Sequence, residues 1–396
     1  MHKKKIITAS AMAAVAALAL AGCSSAAETP AGAGSGGVKI DAPDLPIQDK
    51  LGDYEGEVNI VAWAGYVEDA WTEKFTADTG CVVNRRVAGT SDEMVQLVRT
   101  GDYDVLSASG DASLRLIAGG DVQPLNTKLV PNFGDDIAEG IKQQTYSWIN
   151  GKTYGIPLGR GANILQYNSD VVTEAPTSWD ITWETDSPYA GKIIAYDAPI
   201  YIADAAVYLM AHKPDLGIKN PYALDEDQLA AAIDLLKKQN GIVSEYWSDA
   251  SAQITSFTGG TSVVGTSWEV LRKFTEDDKF KGVVPEEGAT GWADAWMMAA
   301  KSKNPNCAYA WMDYASSPEV NGAIAMNFGM APANTAFCDL NDEAKAHCED
   351  YHAKDEAYFK NVWFWTTPVE TCLDGRTDVT CTNFQQWTDA WLTVKG

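Results

Sequence analysis

The sequence predicts an α/β layer fold, and two observations carry that prediction. Between residues 58 and 106, short β-branched runs alternate with amphipathic stretches in the order β-α-β-α-β. The 396 residues are 46% hydrophobic and 21% charged, the balance of a globular chain with apolar mass for about two ordinary domains. A β-α-β-α-β order implies parallel strands joined by right-handed crossovers. Val58, Ile60 and Ala62 alternate as the first strand. Trp71 and Phe75, four apart, share one face of a helix that Gly80 stops. Residues 81–87 are β-branched and form the second strand. Thr90-Ser91-Asp92 opens a second helix whose stripe is Met94, Leu97 and Val98 and whose end is Gly101. Residues 103–106 are the third strand. Open α/β sheets bind ligands beyond the carboxyl ends of their strands. That rule selects residues 63–66, 89–92 and 107–111.

Farther on, residues 146–157 predict a hairpin turning at Asn150-Gly151. Residues 164–167 follow as a strand. Residues 193–196 form another, breaking at Asp197-Ala198-Pro199. Asp225 caps a helix with Leu229, Ala232, Ile233 and Leu236 on one face and Gly241 beyond its end. Residues 262–265 are a short strand with Trp268 just past it. Residues 292–299 are apolar and aromatic. A helix from about residue 306 carries Ala308, Trp311, Met312 and Ala315. No solenoid-type repeat is present.

Thirty Lys and Arg against 54 Asp and Glu give a formal net charge of −24. That balance excludes a phosphate-neutralising nucleic-acid binder and a basic face for anionic lipid. It suits a cationic ligand, although acidity alone also serves solubility.

Seven cysteines, an odd number, are explained by the first 23 residues. Residues 1–5 are basic, residues 6–21 are short and Ala-rich, and Leu20-Ala21-Gly22-Cys23 closes the segment in a way that resembles a bacterial lipobox. The expectation is a signal peptide over 1–22, a lipidated Cys23 at the new N-terminus, and a Gly/Ser/Ala-rich tether within 23–53. Six thiols remain: Cys81, Cys307, Cys338, Cys348, Cys372 and Cys381. An even count in an exported chain suits up to three disulfides, and sequence alone leaves their connectivity open. Cys338–Cys348 and Cys372–Cys381 would close short loops, leaving Cys81–Cys307. A zinc site at Cys348 with His347 or His352 lacks a second ligand pair at zinc spacing. The expectation is no metal and no cofactor.

Several segments together resemble the extracellular solute-binding lipoproteins of ATP-driven importers, and among these the spermidine/putrescine-binding branch. They are Trp63-Ala64-Gly65-Tyr66, Tyr103-Asp104-Val105 with Ser109, and the run Asn150-Gly151-Lys152-Thr153-Tyr154-Gly155-Ile156-Pro157. Tyr196-Asp197-Ala198, Ser248-Asp249 and Gly291-Trp292-Ala293-Asp294 follow in the same order. The likeness covers about residues 57–332 and weakens after 335. It implies a two-lobed periplasmic-binding-protein-like fold of the type II style, with the ligand cleft between the lobes. The implied layout is lobe 1 over 54–157 and 291–335 and lobe 2 over 158–290. Residues 336–396 are then an aromatic, disulfide-bearing segment packing on lobe 2. Hinges are expected near 157–161 and 287–291. The implied partners are a small-molecule ligand, the importer's membrane permease and, through the lipid on Cys23, the outer face of the cell membrane. The protein is expected to be a monomer that captures and does not catalyse.

The chemistry of such a site stands independently. Aromatic faces cover methylenes and attract ammonium charge, worth about 0.5–2 kcal/mol per contact. Carboxylates hold the ammonium by charge-assisted hydrogen bonds. The chain has 14 Trp, 16 Tyr and 10 Phe to draw on. The resemblance assigns aromatic positions to Trp63, Tyr66, Trp268 and Trp292, the amine-holding carboxylate to Asp294, a second acid to Asp197, and polar contacts to Ser109 and Ser248. Departures are also visible. The acid of the branch three residues after Asp197 is Ile200 here, an aromatic soon after Ser109 is replaced by Gly110-Asp111, and one after Gly329 is Met330. Asp111 and Glu269 are the candidates for a rearranged acid, each otherwise a solvated surface charge. A ligand with one cationic end and one neutral or anionic end fits that rearrangement. Residues 363–368 read as a structural aromatic cluster, with Trp365 or Thr366 the members that could reach the cleft.

Two competing readings remain. One keeps the fold but binds a sugar on the Trp faces, or an amino-acid-like solute with Arg160 on its anion. The other is a lipid-anchored glycoside hydrolase with paired carboxylates. Against an enzyme, the chain has no G-x-S-x-G, H-E-x-x-H or P-loop, and few histidines.

Overall fold

A computed structural model describes residues 40–275 and 277–395. The leader, Cys23 and the tether up to residue 39 lie outside the described residues. The strands are β1 (Glu57–Ala62), β2 (Val82–Val87), β3 (Val105–Ser109), β4 (Val122–Gln123), β5 (Trp148–Ile149), β6 (Lys152–Thr153) and β7 (Gly155–Asn168). They continue as β8 (Ile193–Tyr196), β9 (Val243–Trp247), β10 (Val264–Trp268), β11 (Phe280–Val283), β12 (Ala289–Ala299), β13 (Ala331–Pro332) and β14 (Val362–Phe364).

The main sheet has the order β2-β1-β3-β12-β7-β10-β8-β9. β1 pairs in parallel with both β2 and β3, as the β-α-β-α-β pattern requires. β10, β8 and β9 form a second parallel set. The long strand β7 joins the two sets. Its first half pairs with β12, and its second half pairs with β10 and β11. Both β7 and β12 are buried along nearly their whole length, so they read as continuous apolar runs without strand alternation. The two expected hinge segments fall on or just before these shared strands.

Local signals account for most element ends. The Thr90 hydroxyl accepts from the backbone N–H of Glu93 and starts the helix Ser91–Arg99. Asp225 and Gln228 form a reciprocal capping box on the helix Glu226–Asn240. Asn150 and Gly151 both have positive φ, which suits the two-residue turn between β5 and β6.

Two strands lie later than expected. β3 begins at Val105 because Asp104 is occupied: its carboxylate accepts from the backbone N–H groups of Asn59, Lys303 and Asn304. Ser107 and Ser109 are therefore strand residues. β10 runs from Val264 through Trp268, so Trp268 ends the strand instead of following it.

All six described cysteines are bonded, as Cys81–Cys307, Cys338–Cys348 and Cys372–Cys381. Residues 336–396, expected to pack on the second lobe, divide instead. The helix Asp342–Asp350 packs against β13, and β14 adds in parallel to the start of β12. The final helix Phe384–Lys395 packs on Glu226–Asn240. Trp296, Trp311, Trp247 and Trp387 are fully buried in the core and account for part of the high Trp content.

Candidate ligand-binding site

The site is built around Asp294 on the central strand β12. Period-two alternation puts Trp292 and Asp294 on one face, and the strand register shifts directly after Asp294. Ser109 stands opposite Asp294 at the end of β3. Its Oγ donates to Asp294 Oδ1 at 2.5 Å, and the Tyr66 hydroxyl donates to Oδ2 at 2.6 Å. Asp294 is 3% exposed, and among the described residues no basic side chain pairs with it. Burial pushes its carboxyl up to about 6, although the two hydroxyls pull it down. Burial beside that carboxylate also holds the Tyr66 phenol well above its usual range. The result is a pre-oriented anion without a counter-ion.

Six aromatic side chains line the cavity with Asp294: Trp63, Tyr196, Trp268, Trp292, Phe328 and Trp365. Ser91, Ser109 and Val270 complete its lining, and the cavity volume is ≈ 40 Å³. Tyr196 stacks on Trp365 at 5.7 Å and meets Trp268 edge-on at 5.6 Å. Trp292 meets Phe328 edge-on at 5.7 Å. The indole N–H groups of Trp63, Trp268, Trp292 and Trp365 are buried with no acceptor among the described residues. Among the described residues, no Lys, Arg or His lines the cavity.

Two glycines make room for these rings. A Cβ on Gly161 would lie 2.5 Å from Trp292 Cζ2. A Cβ on Gly110 would lie 1.7 Å from the Trp365 carbonyl oxygen. Gly110, where an aromatic was expected nearby, is thus where the C-terminal segment enters. Trp365 donates its backbone N–H to Gly291 at 2.7 Å, and Thr367 donates its own to Gly110 at 3.1 Å.

Of the predicted residues, Trp63, Ser109, Trp268, Trp292 and Asp294 line one cavity, and Tyr66 touches it through Asp294. Four others do not line it. Asp197 accepts from Trp391 Nε1 at 3.2 Å and pairs with Lys395, both on the final helix. Ser248 is exposed. Asp111 is buried behind Ser91, whose hydroxyl donates to it at 3.0 Å. Glu269 is buried against the backbone N–H of Ala162 and near Arg272. Burial raises the carboxyls of both Asp111 and Glu269, so neither is a solvated surface charge. Arg160, the candidate for an anion, is fully buried, paired with Glu356 at 2.6 Å and stacked over Phe359. His347 is bonded to the Met330 carbonyl oxygen, and Cys348 is in a disulfide, which removes the zinc alternative.

Three aromatic liners were not assigned from sequence. Tyr196 is the last residue of β8, a strand end that the carboxyl-end rule covers; the neighbouring acid drew the assignment instead. Phe328 precedes Gly329, where the resemblance led to the residue after it. Trp365 comes from the segment taken as structural.

Comparison with known proteins agrees with this architecture. The family model described as bacterial extracellular solute-binding protein matches residues 70–353. The putrescine-binding periplasmic protein SpuD of Pseudomonas aeruginosa is 25% identical over 333 residues, 79% of this chain and 88% of that protein. The spermidine/putrescine-binding periplasmic protein 1 of Haemophilus influenzae is 24% identical over 289 residues, covering 70% of this chain and 75% of its own length. The crystal structure of PotD, the spermidine/putrescine ABC transporter substrate-binding protein of Streptococcus pneumoniae, superposes with a TM-score of 0.69 at 19% identity, covering 86% of this chain and 99% of that one. The fold is thus the two-lobed one of periplasmic binding proteins. With that family model matched over most of its length, the chain belongs to the bacterial extracellular solute-binding protein family.

Proposed function

We propose that the protein is the substrate-capturing component of an ATP-driven importer and that its cargo is a small organic cation of the amine class. The observation that carries this reading is the buried Asp294 carboxylate, unpaired with any basic group and enclosed by aromatic faces. An ammonium would supply the missing counter-charge, and the rings would cover its carbon chain. The names of the polyamine-binding relatives support the same class. A neutral sugar would stack on the indoles but leave the carboxylate uncompensated. An amino-acid-like solute would need a cation for its anion, and Arg160 is committed to Glu356.

Capture would work by closure. Contacts from both strand sets surround the cavity, so a bound cation favours the closed arrangement in which all of them are made. The permease would then recognise that arrangement. Cys23 would anchor the protein by lipid to the outer face of the membrane, and the body would act as a monomer without catalysis.

The test is a calorimetric panel of putrescine, spermidine, simple monoamines and a neutral sugar. At least one amine binds, and Asp294→Asn weakens it by about 2–5 kcal/mol, the cost of a buried charge losing its partner. Binding of the sugar alone, or unchanged amine affinity in the variant, overturns the proposal.

A further inference from the structure

We propose that the captured cation carries a single ammonium group and, at its other end, an oxygen that accepts hydrogen bonds. This rests on the amine-class reading and narrows it.

The first observation is the charge count. Among the described residues, Asp294 is the one carboxylate lining the cavity. The acids that could hold a second ammonium are engaged elsewhere. Asp197 is held by Lys395 and Trp391 of the final helix. Glu269 faces the Ala162 N–H and Arg272. Asp111 does not line the cavity: it accepts from Ser91 and faces the Arg115 charge, and its own charge reaches the site as repulsion on Asp294. A second ammonium inside this enclosure would be desolvated without a carboxylate partner.

The second observation is the set of idle donors. All four tryptophans lining the cavity have a buried indole N–H with no acceptor among the described residues. Of the ten elsewhere, Trp71, Trp179, Trp247, Trp387 and Trp391 find acceptors, and Trp296 and Trp311 are the buried exceptions. Among the tryptophans, buried indole N–H groups without an acceptor are therefore found mostly where a ligand would sit. Buried donors want acceptors, and an ammonium offers none. A neutral hydroxyl or carbonyl oxygen does. The wall is accordingly matched to a molecule that is cationic toward Asp294 and oxygen-bearing toward the indoles.

The experiment uses a matched series on the purified full chain at neutral pH. Calorimetric titrations are run with 4-aminobutan-1-ol, putrescine and butylamine, which share a four-carbon chain and differ only at the far end. The amino alcohol is expected to bind roughly tenfold tighter than butylamine, from donors newly paired. It is expected to exceed putrescine by at least about tenfold, from the unpaired second charge. Putrescine binding as tightly as the amino alcohol, or tighter, overturns the inference while leaving the cation reading intact. Equal affinity for butylamine and the amino alcohol also overturns it. Failure of all three amines to bind removes the cation reading as well.

Discussion

Replacing Asp294 with Asn should make the ligand-free protein more stable while it disables binding. Asn keeps the shape of the side chain and removes its charge. The carboxyl is raised from 3.8 to about 6 by burial, a shift of about two units at about 1.4 kcal/mol each. The ionised carboxylate therefore costs the folded state about 3 kcal/mol at neutral pH. The sign follows from proton linkage. With its folded pKa above its unfolded value, the native state holds the proton more tightly, so this cost is absent below pH ~4. It grows as pH rises and is complete above pH ~6. Urea unfolding of the ligand-free wild type and Asp294→Asn from pH 4 to 8 measures it. The variant's lead should be smallest at pH 4 and rise with pH to about 1–3 kcal/mol at pH 7, the lower end allowing for poorer hydrogen bonds to Ser109 and Tyr66. A variant less stable than wild type at pH 7 would refute the reasoning. Asp294 would then be a structural anchor for its two hydroxyl partners and not a charge kept for a ligand.

Three further variants probe what holds the site and its fold. Gly110→Ala, at the first position of the helix Gly110–Ala118, would gain up to about 1 kcal/mol from helix propensity alone. Because its Cβ would collide with the Trp365 carbonyl, the expected result in urea unfolding is instead a loss of about 1–3 kcal/mol, with weaker amine binding by calorimetry. Removing Cys81–Cys307 by a double Ala substitution frees a span of 226 residues, and chain entropy puts the loss at about 5 kcal/mol. Removing Cys372–Cys381, a separation of 9, should cost about 3 kcal/mol, so their order in denaturant midpoints is the check.

The parts of the fold visible in sequence are those with local causes. Periodicity, caps and the Asn150-Gly151 turn located β1, β2, β8 and the helix Glu226–Asn240 closely, because those signals lie within each segment. β3 began two residues late because the reason, Asp104 binding the backbone of residues 303 and 304, is remote in the chain. The same distinction runs through the site. Trp63 follows a strand and lies in a segment the carboxyl-end rule selects, whereas Trp292 and Asp294 came from the family resemblance and only the structure sets them on one face of β12. Asp197 sits beside Tyr196 at a strand end, and only the final helix decides which of the two lines the cavity. Trp365, which the sequence left with Thr366 as a residue that could reach the cleft, follows the short strand β14, and only the pairing of β14 with β12 and the space at Gly110 bring it to the cavity.

The position of Trp365 also bears on how the protein is made. Chains emerge from the ribosome N-terminus first, and early segments begin to fold before late ones exist. Here the pocket takes Trp63 from the first strand region and Trp365 from near the far end, and Cys81 waits for Cys307. No intermediate length of chain holds a complete wall. A truncated product ending before residue 365 would present an open, half-lined site, so binding competence arrives only once synthesis is nearly finished.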